Sequence, residues 1–104
     1  YIIVAGGLRI DEPASDLPVA LSLISSLRDK VLRDDCIAFG EIGLAGEIRS
    51  VSYAELRVRE AIRLGFKKCI LSAHNLKELN EKLFSQIEIK GVSNIRSAFE
   101  EAAN

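Results

Sequence analysis

The strongest constraint on this chain is a change of hydrophobic period, helical to extended and back to helical, around the reversal Gly43-Leu44-Ala45-Gly46. Upstream of it, Leu17, Ala20, Leu21, Ile24 and Leu27 recur at i, i+3, i+4, i+7 and i+10, a single apolar stripe that predicts a helix ending near Arg28. Ser15 or Asp16 can cap that helix, and Pro18 falls in its tolerant first turn. Around the reversal, Cys36 to Ile42 and Glu47 to Val51 are strand-like runs, and glycine at both ends of the turn permits tight backbone angles, so a β-hairpin is expected. From Tyr53 to Leu64 the helical period returns, with Ala54, Val58, Ala61 and Ile62 facing inward and Gly65 stopping the helix.

The flanks extend the mixture. Tyr1 to Ala5 and Leu8 to Ile10, separated by Gly6-Gly7, read as strands entering a turn at Asp11 to Asp16. Phe66 to Ser72 reads as a buried strand, and Asn75 with Glu78 resembles a capping box for a helix carrying Leu76, Leu79 and Leu83. Gln86 to Lys90 alternates like an edge or half-buried strand, and Ser93 opens a last helix with Ile95, Ala98, Phe99 and Ala102 inward. The expected class is α+β, with hairpin and crossover connections, no internal repeat and no low-complexity linker.

At 104 residues the chain is one small domain, and its start at Tyr1, inside an apolar run and without Met, reads as an N-terminally truncated piece of a longer polypeptide. Fourteen basic against 15 acidic residues leave a net charge of −1, so nucleic-acid binding cannot come from bulk charge, only from a local basic face. No apolar run approaches the roughly 20 residues that span a bilayer. Cys36 and Cys69 lie in aliphatic runs and read as reduced, buried thiols of a cytoplasmic protein. The chain has no G-x-x-x-x-G-K loop, no C-x-x-C pair and no G-x-G-x-x-G, so it is expected to bind neither ATP nor metal by itself. His74, the one histidine, lacks companions at ligand spacing and reads as a turn residue. Glu41 and Glu47 flank the reversal as solvated strand-end charges.

The turn at Asp11 to Asp16, the run Phe39-Gly40-Glu41-Ile42-Gly43-Leu44-Ala45-Gly46-Glu47-Ile48-Arg49, and Glu60-Ala61 through Leu64-Gly65-Phe66 occur in the order found in one family. With Gly6-Gly7 and Ser26-Leu27-Arg28-Asp29, they make the chain resemble the C-terminal Lon-protease-like domain of the bacterial RadA (Sms) DNA repair proteins, over residues 1–104. Ser50 departs from the usual proline, which bears on loop rigidity only. The resemblance implies a Lon-protease-like fold of the ribosomal protein S5 domain 2 type. It also implies a DNA-dependent ATPase at full length, with upstream zinc and RecA-like domains supplying ATP, Mg and Zn sites. The implied partners are other copies, as a ring-type hexamer, and single-stranded or branched DNA during processing of recombination intermediates; no membrane is implied.

More distantly the same segments resemble the Lon peptidase domain, whose Gly-Pro-Ser-Ala-Gly presents a nucleophile served by a lysine on a later helix. Laid on without a gap, the nucleophile falls on Ala14 and the lysine on Arg57. A methyl group cannot attack a carbonyl, and a guanidinium holds its proton at neutral pH, so the dyad is degenerate and no catalysis is expected. Asp16, in place of glycine, would set a carboxylate where an oxyanion should form. Ser15 is a poor substitute, because one residue along a helix start turns about 100° away.

The alternatives are an active Ser/Lys peptidase with an unconventional nucleophile and a stand-alone DNA-binding module. Arg57, about 60° from the centre of its helix's stripe, suits either an internal contact or a phosphate or subunit contact. Arg59, Arg63, Lys67 and Lys68 complete the candidate surface, Arg59 and Arg63 sharing a solvent face with Glu55. A second small basic group, Arg28, Lys30 and Arg33, likewise lacks interleaved aromatics.

Overall fold

A computed structural model gives the structure, which describes residues 13–103. The strands expected at Tyr1 to Ala5 and Leu8 to Ile10 lie outside the described residues. A 3-10 turn at Pro13–Ser15 leads into α1 (Asp16–Arg28). Next come β1 (Cys36–Ala38), β2 (Glu41–Ile42), β3 (Ile48–Arg49) and α2 (Ala54–Arg63). After these follow β4 (Lys68–Ser72), the short α3 (Ala73–Leu76), a 3-10 segment at Glu81–Ser85, β5 (Glu88–Val92) and α4 (Ile95–Ala102).

The described residues form an α+β domain around a parallel sheet ordered β1-β4-β5, with Ile37 opposite Cys69 and Cys69 opposite Ile89. Side chains alternate across a strand, so the sheet feeds two cores. Ile37, Cys69 and Leu71 point to one side and meet Val58 and Ala61 of α2 with Leu79, Leu83 and Ile87. Cys36, Ala38, Ile70 and Val92 point to the other and meet Leu17 and Leu21 of α1 with Ala98 and Ala102 of α4. Covered on both faces, the central β4 is buried at all five positions, which explains its near-continuous apolar reading.

Three expectations need correction. The run Cys36 to Ile42 is not one arm of a hairpin: Gly40 divides it, β1 joins the parallel sheet, and only Glu41–Ile42 pairs back with Ile48–Arg49. Gly40 is the divider because its N–H donates to the Ala14 carbonyl (3.0 Å) while its own carbonyl accepts from Leu17 N–H (2.9 Å). A Cβ there would stand 2.9 Å from Ile48 Cγ2. The reversal itself forms as expected, with Gly46 at φ +82 and its N–H donating to the Gly43 carbonyl at 3.0 Å.

The helix expected over Leu76 to Leu83 is instead the four-residue α3 and a separate 3-10 segment, each with its own cap. Ser72 Oγ accepts from His74 N–H, and Asn80 Oδ1 accepts from Lys82 N–H. Asn75 therefore lies inside α3 and is no cap. Finally, Leu27 is 85% exposed, not inward. The buried positions of α1, Leu17, Pro18 and Leu21, all lie in its N-terminal half. The stop at Gly65 (φ +91) and the inward face of α2 are as the period predicts. Among the described residues no helix is long and apolar enough to cross a membrane.

Candidate functional site

The 3-10 turn that opens α1 is stitched to the strand exit at residues 40–42. Besides the Ala14–Gly40–Leu17 bonds, Asp16 Oδ2 accepts from Ile42 N–H at 3.1 Å. Ala14 and Ser15 are both buried, at 2% and 1% exposure. Asp16 is thus committed to a backbone donor, and α1 has no side-chain cap bond from Ser15. The position matched to a nucleophile carries only a methyl group in a closed joint, and the hydroxyl beside it is equally enclosed.

Arg57 sits on α2 across Phe39. Its guanidinium carbon lies 5.9 Å from the Phe39 ring centre, and its Nε donates to the Ser52 carbonyl at 2.9 Å. The half-buried cation is thus held over a ring face and onto a backbone carbonyl of the same chain. Phe39 and Gly40 are neighbours in the chain, so the elements carrying Ala14 and Arg57 converge on the same strand exit.

The other basic candidates divide sharply. Arg59 pairs with Glu55 one turn back, at 3.1 Å, and Arg63 pairs with Glu60, its Nε donating at 2.9 Å. Hydrogen bonding from Arg63 holds the Glu60 carboxyl below its ordinary range. Lys67 is exposed. Lys68, by contrast, is buried in β4, its Nζ donating to the Glu101 carbonyl at 2.7 Å and to Glu101 Oε1 at 2.8 Å. It points inward because position 68 shares the face of Ile70 and Ser72, so it is a tie between sheet and α4 and no surface contact.

Arg49 reaches both hairpin carboxylates, Glu47 at 3.3 Å and Glu41 at 3.8 Å, which makes those charges a surface network. The residue that sequence reasoning misplaced is Asn75. Fully buried, it accepts from Val51 N–H at 2.8 Å and donates to Val51 O and Glu78 Oε1, both at 3.1 Å. Its spacing to Glu78 was the visible signal, and the two side chains do meet, but as a buried amide contact and not a helix cap, while the bonds to Val51 left no trace in the local pattern.

Cys36 and Cys69 are buried thiols on opposite faces of the sheet. Burial pushes Cys36 up to about 11 and raises Cys69 further. Facing apart into different cores, the two thiols do not share a site, and no cluster of three metal-ligating side chains occurs among the described residues.

The amino-acid sequence is similar to those of known proteins. Proteins named DNA repair protein RadA align along nearly all of the chain: that of Listeria monocytogenes is 45% identical over 102 residues, 98% of this chain and 22% of the relative. That of Halalkalibacterium halodurans is 46% identical over 100 residues, 96% of this chain and 21% of the relative. That of Bacillus subtilis is 45% identical over 98 residues, 94% of this chain and 21% of the relative. The chain spans about a fifth of the length of these curated relatives. A family profile described as subunit ChlI of Mg-chelatase matches residues 3–75. With well over half of its length matched, the chain belongs to the ChlI family.

Proposed function

We propose that this chain is a non-proteolytic, Lon-like domain of a RadA-type DNA repair and recombination ATPase, acting as an oligomerisation scaffold and assisting DNA binding while recombination intermediates are processed. The observation that carries the reading is similarity near 45% identity to proteins named DNA repair protein RadA, continuous over almost the whole chain. Loss of peptidase chemistry is supported by the joint itself: a buried methyl at Ala14, a buried hydroxyl at Ser15 and a guanidinium committed to Phe39 and Ser52. A folded core with a disabled site keeps its surface for assembly.

In this reading the ATP, Mg and Zn of the RadA family belong to the parts of the protein that this chain does not span, and the whole works in the cytoplasm as a ring-type homo-oligomer. DNA contact is assigned to the assembled protein, because Arg59 and Arg63 are already paired with glutamates and leave little net positive field on α2. Removing this segment from the larger protein and measuring mass by light scattering tests the scaffold: stoichiometry should fall, and an unchanged oligomer refutes it. A serine-directed covalent probe should leave the protein unlabelled; labelling abolished by Ser15→Ala would restore the peptidase alternative. Binding of DNA by this chain alone, lost when Arg59, Arg63 and Lys67 become glutamate, would favour the stand-alone module.

A further inference from the structure

Strand β5 ends one side of the parallel sheet, with β4 along one edge and, among the described residues, no strand along the other. The ladder fixes which backbone groups that free edge presents: Glu88 N–H donates to the Lys67 carbonyl at 3.1 Å, and the Cα partners run from Lys68–Glu88 to Ser72–Val92. In a parallel pair, alternate residues turn both backbone groups toward the same neighbour, so Glu88, Lys90 and Val92 face β4 while Ile89 and Gly91 present theirs outward. Among the described residues no backbone group bonds to those of Ile89 or Gly91. The side chains of Glu88 and Lys90 share one face, 48% and 45% exposed, with their charged ends 3.9 Å apart.

An unpaired strand edge is a template for another strand, and proteins commonly block it with an uncompensated charge. Here Glu88 offsets Lys90, so that block is absent. The run Glu88-Ile89-Lys90 is instead complementary to itself when two copies lie antiparallel. With Ile89 opposite Ile89 of the other copy, the two residues exchange both N–H···O bonds, as their outward groups require, and each Gly91 N–H meets the Ile87 carbonyl across the axis. The same register sets Glu88 of each copy opposite Lys90 of the other, at the non-hydrogen-bonded positions where side chains approach most closely. A register centred on Lys90 would bring like charges together and turn the backbone groups at its centre away from the partner. We propose that β5 pairs edge to edge with β5 of a second copy, antiparallel about Ile89, through these backbone bonds and reciprocal Glu88–Lys90 pairs. The contact does not rest on the scaffold reading, since a ring closes through two different surfaces and a two-fold pair through one surface meeting itself.

Sedimentation of the 104-residue chain between about 10 µM and 1 mM should give a concentration-dependent dimer, in the weak range of a contact smaller than standard size. Glu88→Lys should lower the association constant about tenfold, as should Lys90→Glu, since either sets like charges opposite one another on both sides of the axis. An equimolar mixture of the two variants should associate as well as the unmodified chain, because each supplies the charge that the other lacks. Amide hydrogen exchange should slow at Ile89 and Gly91 as concentration rises and stay constant at Lys90, whose N–H faces β4. Leu27→Asp, on the exposed face of α1, should leave association unchanged. A monomer at every concentration, a dimer indifferent to both charge reversals, or variants that stay apart when mixed overturns the proposal while leaving the scaffold reading to its own deletion test.

Discussion

Asn75 joins α3 to the loop ahead of α2 through both ends of its amide, taking the N–H and the carbonyl of Val51 together. Truncation to alanine strands two backbone groups at a buried site, and the cost of unpaired buried groups is what makes such a bond expensive to lose. Asn75→Ala should therefore destabilise the fold by about 2–4 kcal/mol, read as a lower urea midpoint at unchanged slope; a change within about 0.5 kcal/mol would show that water replaces the clamp. Arg57 is a milder case, because its ring contact and its bond to the Ser52 carbonyl lie near the surface. Arg57→Ala should cost about 1–2 kcal/mol, with Arg57→Lys intermediate, since an ammonium keeps the charge but loses the planar stack. Equal losses in the two variants would mean that the guanidinium plane, and not the charge, supplies the whole effect.

Between elements, two joints set the arrangement: Gly40 where β1 passes α1, and Lys68 where β4 meets α4. A side chain at Gly40 would press on Ile48 and Leu17, both core residues, whereas at Gly46 it would meet nothing within 4 Å and strain only a φ of +82. Gly40→Ala should cost about 1–3 kcal/mol from overpacking and Gly46→Ala about 1 kcal/mol from backbone strain; the reverse order in thermal melts would contradict the packing described. At the second joint, the hydrogen bond from Lys68 holds the Glu101 carboxyl below its ordinary range. A carboxyl depressed on folding adds stability that is present above its unfolded value, about 4.3, and is lost as pH falls through the lower folded value. Glu101→Gln should accordingly flatten the acid limb of stability against pH below about 4.3 while leaving its shape near neutrality alone. An unchanged acid limb would assign it to other carboxyls.

Across the whole molecule, the two thiols report on the two cores separately, Cys69 on the α2 side and Cys36 on the α1 and α4 side. Both should resist a thiol reagent at neutral pH and react only as the domain opens, at rates that follow global unfolding; earlier reaction of Cys36 would show the α1 and α4 layer opening by itself. Helices α1 and α2, the Gly46 turn and the Gly65 stop were legible in the sequence because each depends on side chains three or four positions apart or on one residue's freedom to take positive φ. Tertiary structure alone decided the rest. It split residues 36–42 between two sheets, sent Asn75 to Val51, and turned Lys68 from a candidate surface cation into a buried tie. Those outcomes depend on partners 24 and 33 residues away, for Asn75 and Lys68 respectively, and a pattern read over one or two helical turns carries no information about which distant group will satisfy a buried amide or ammonium.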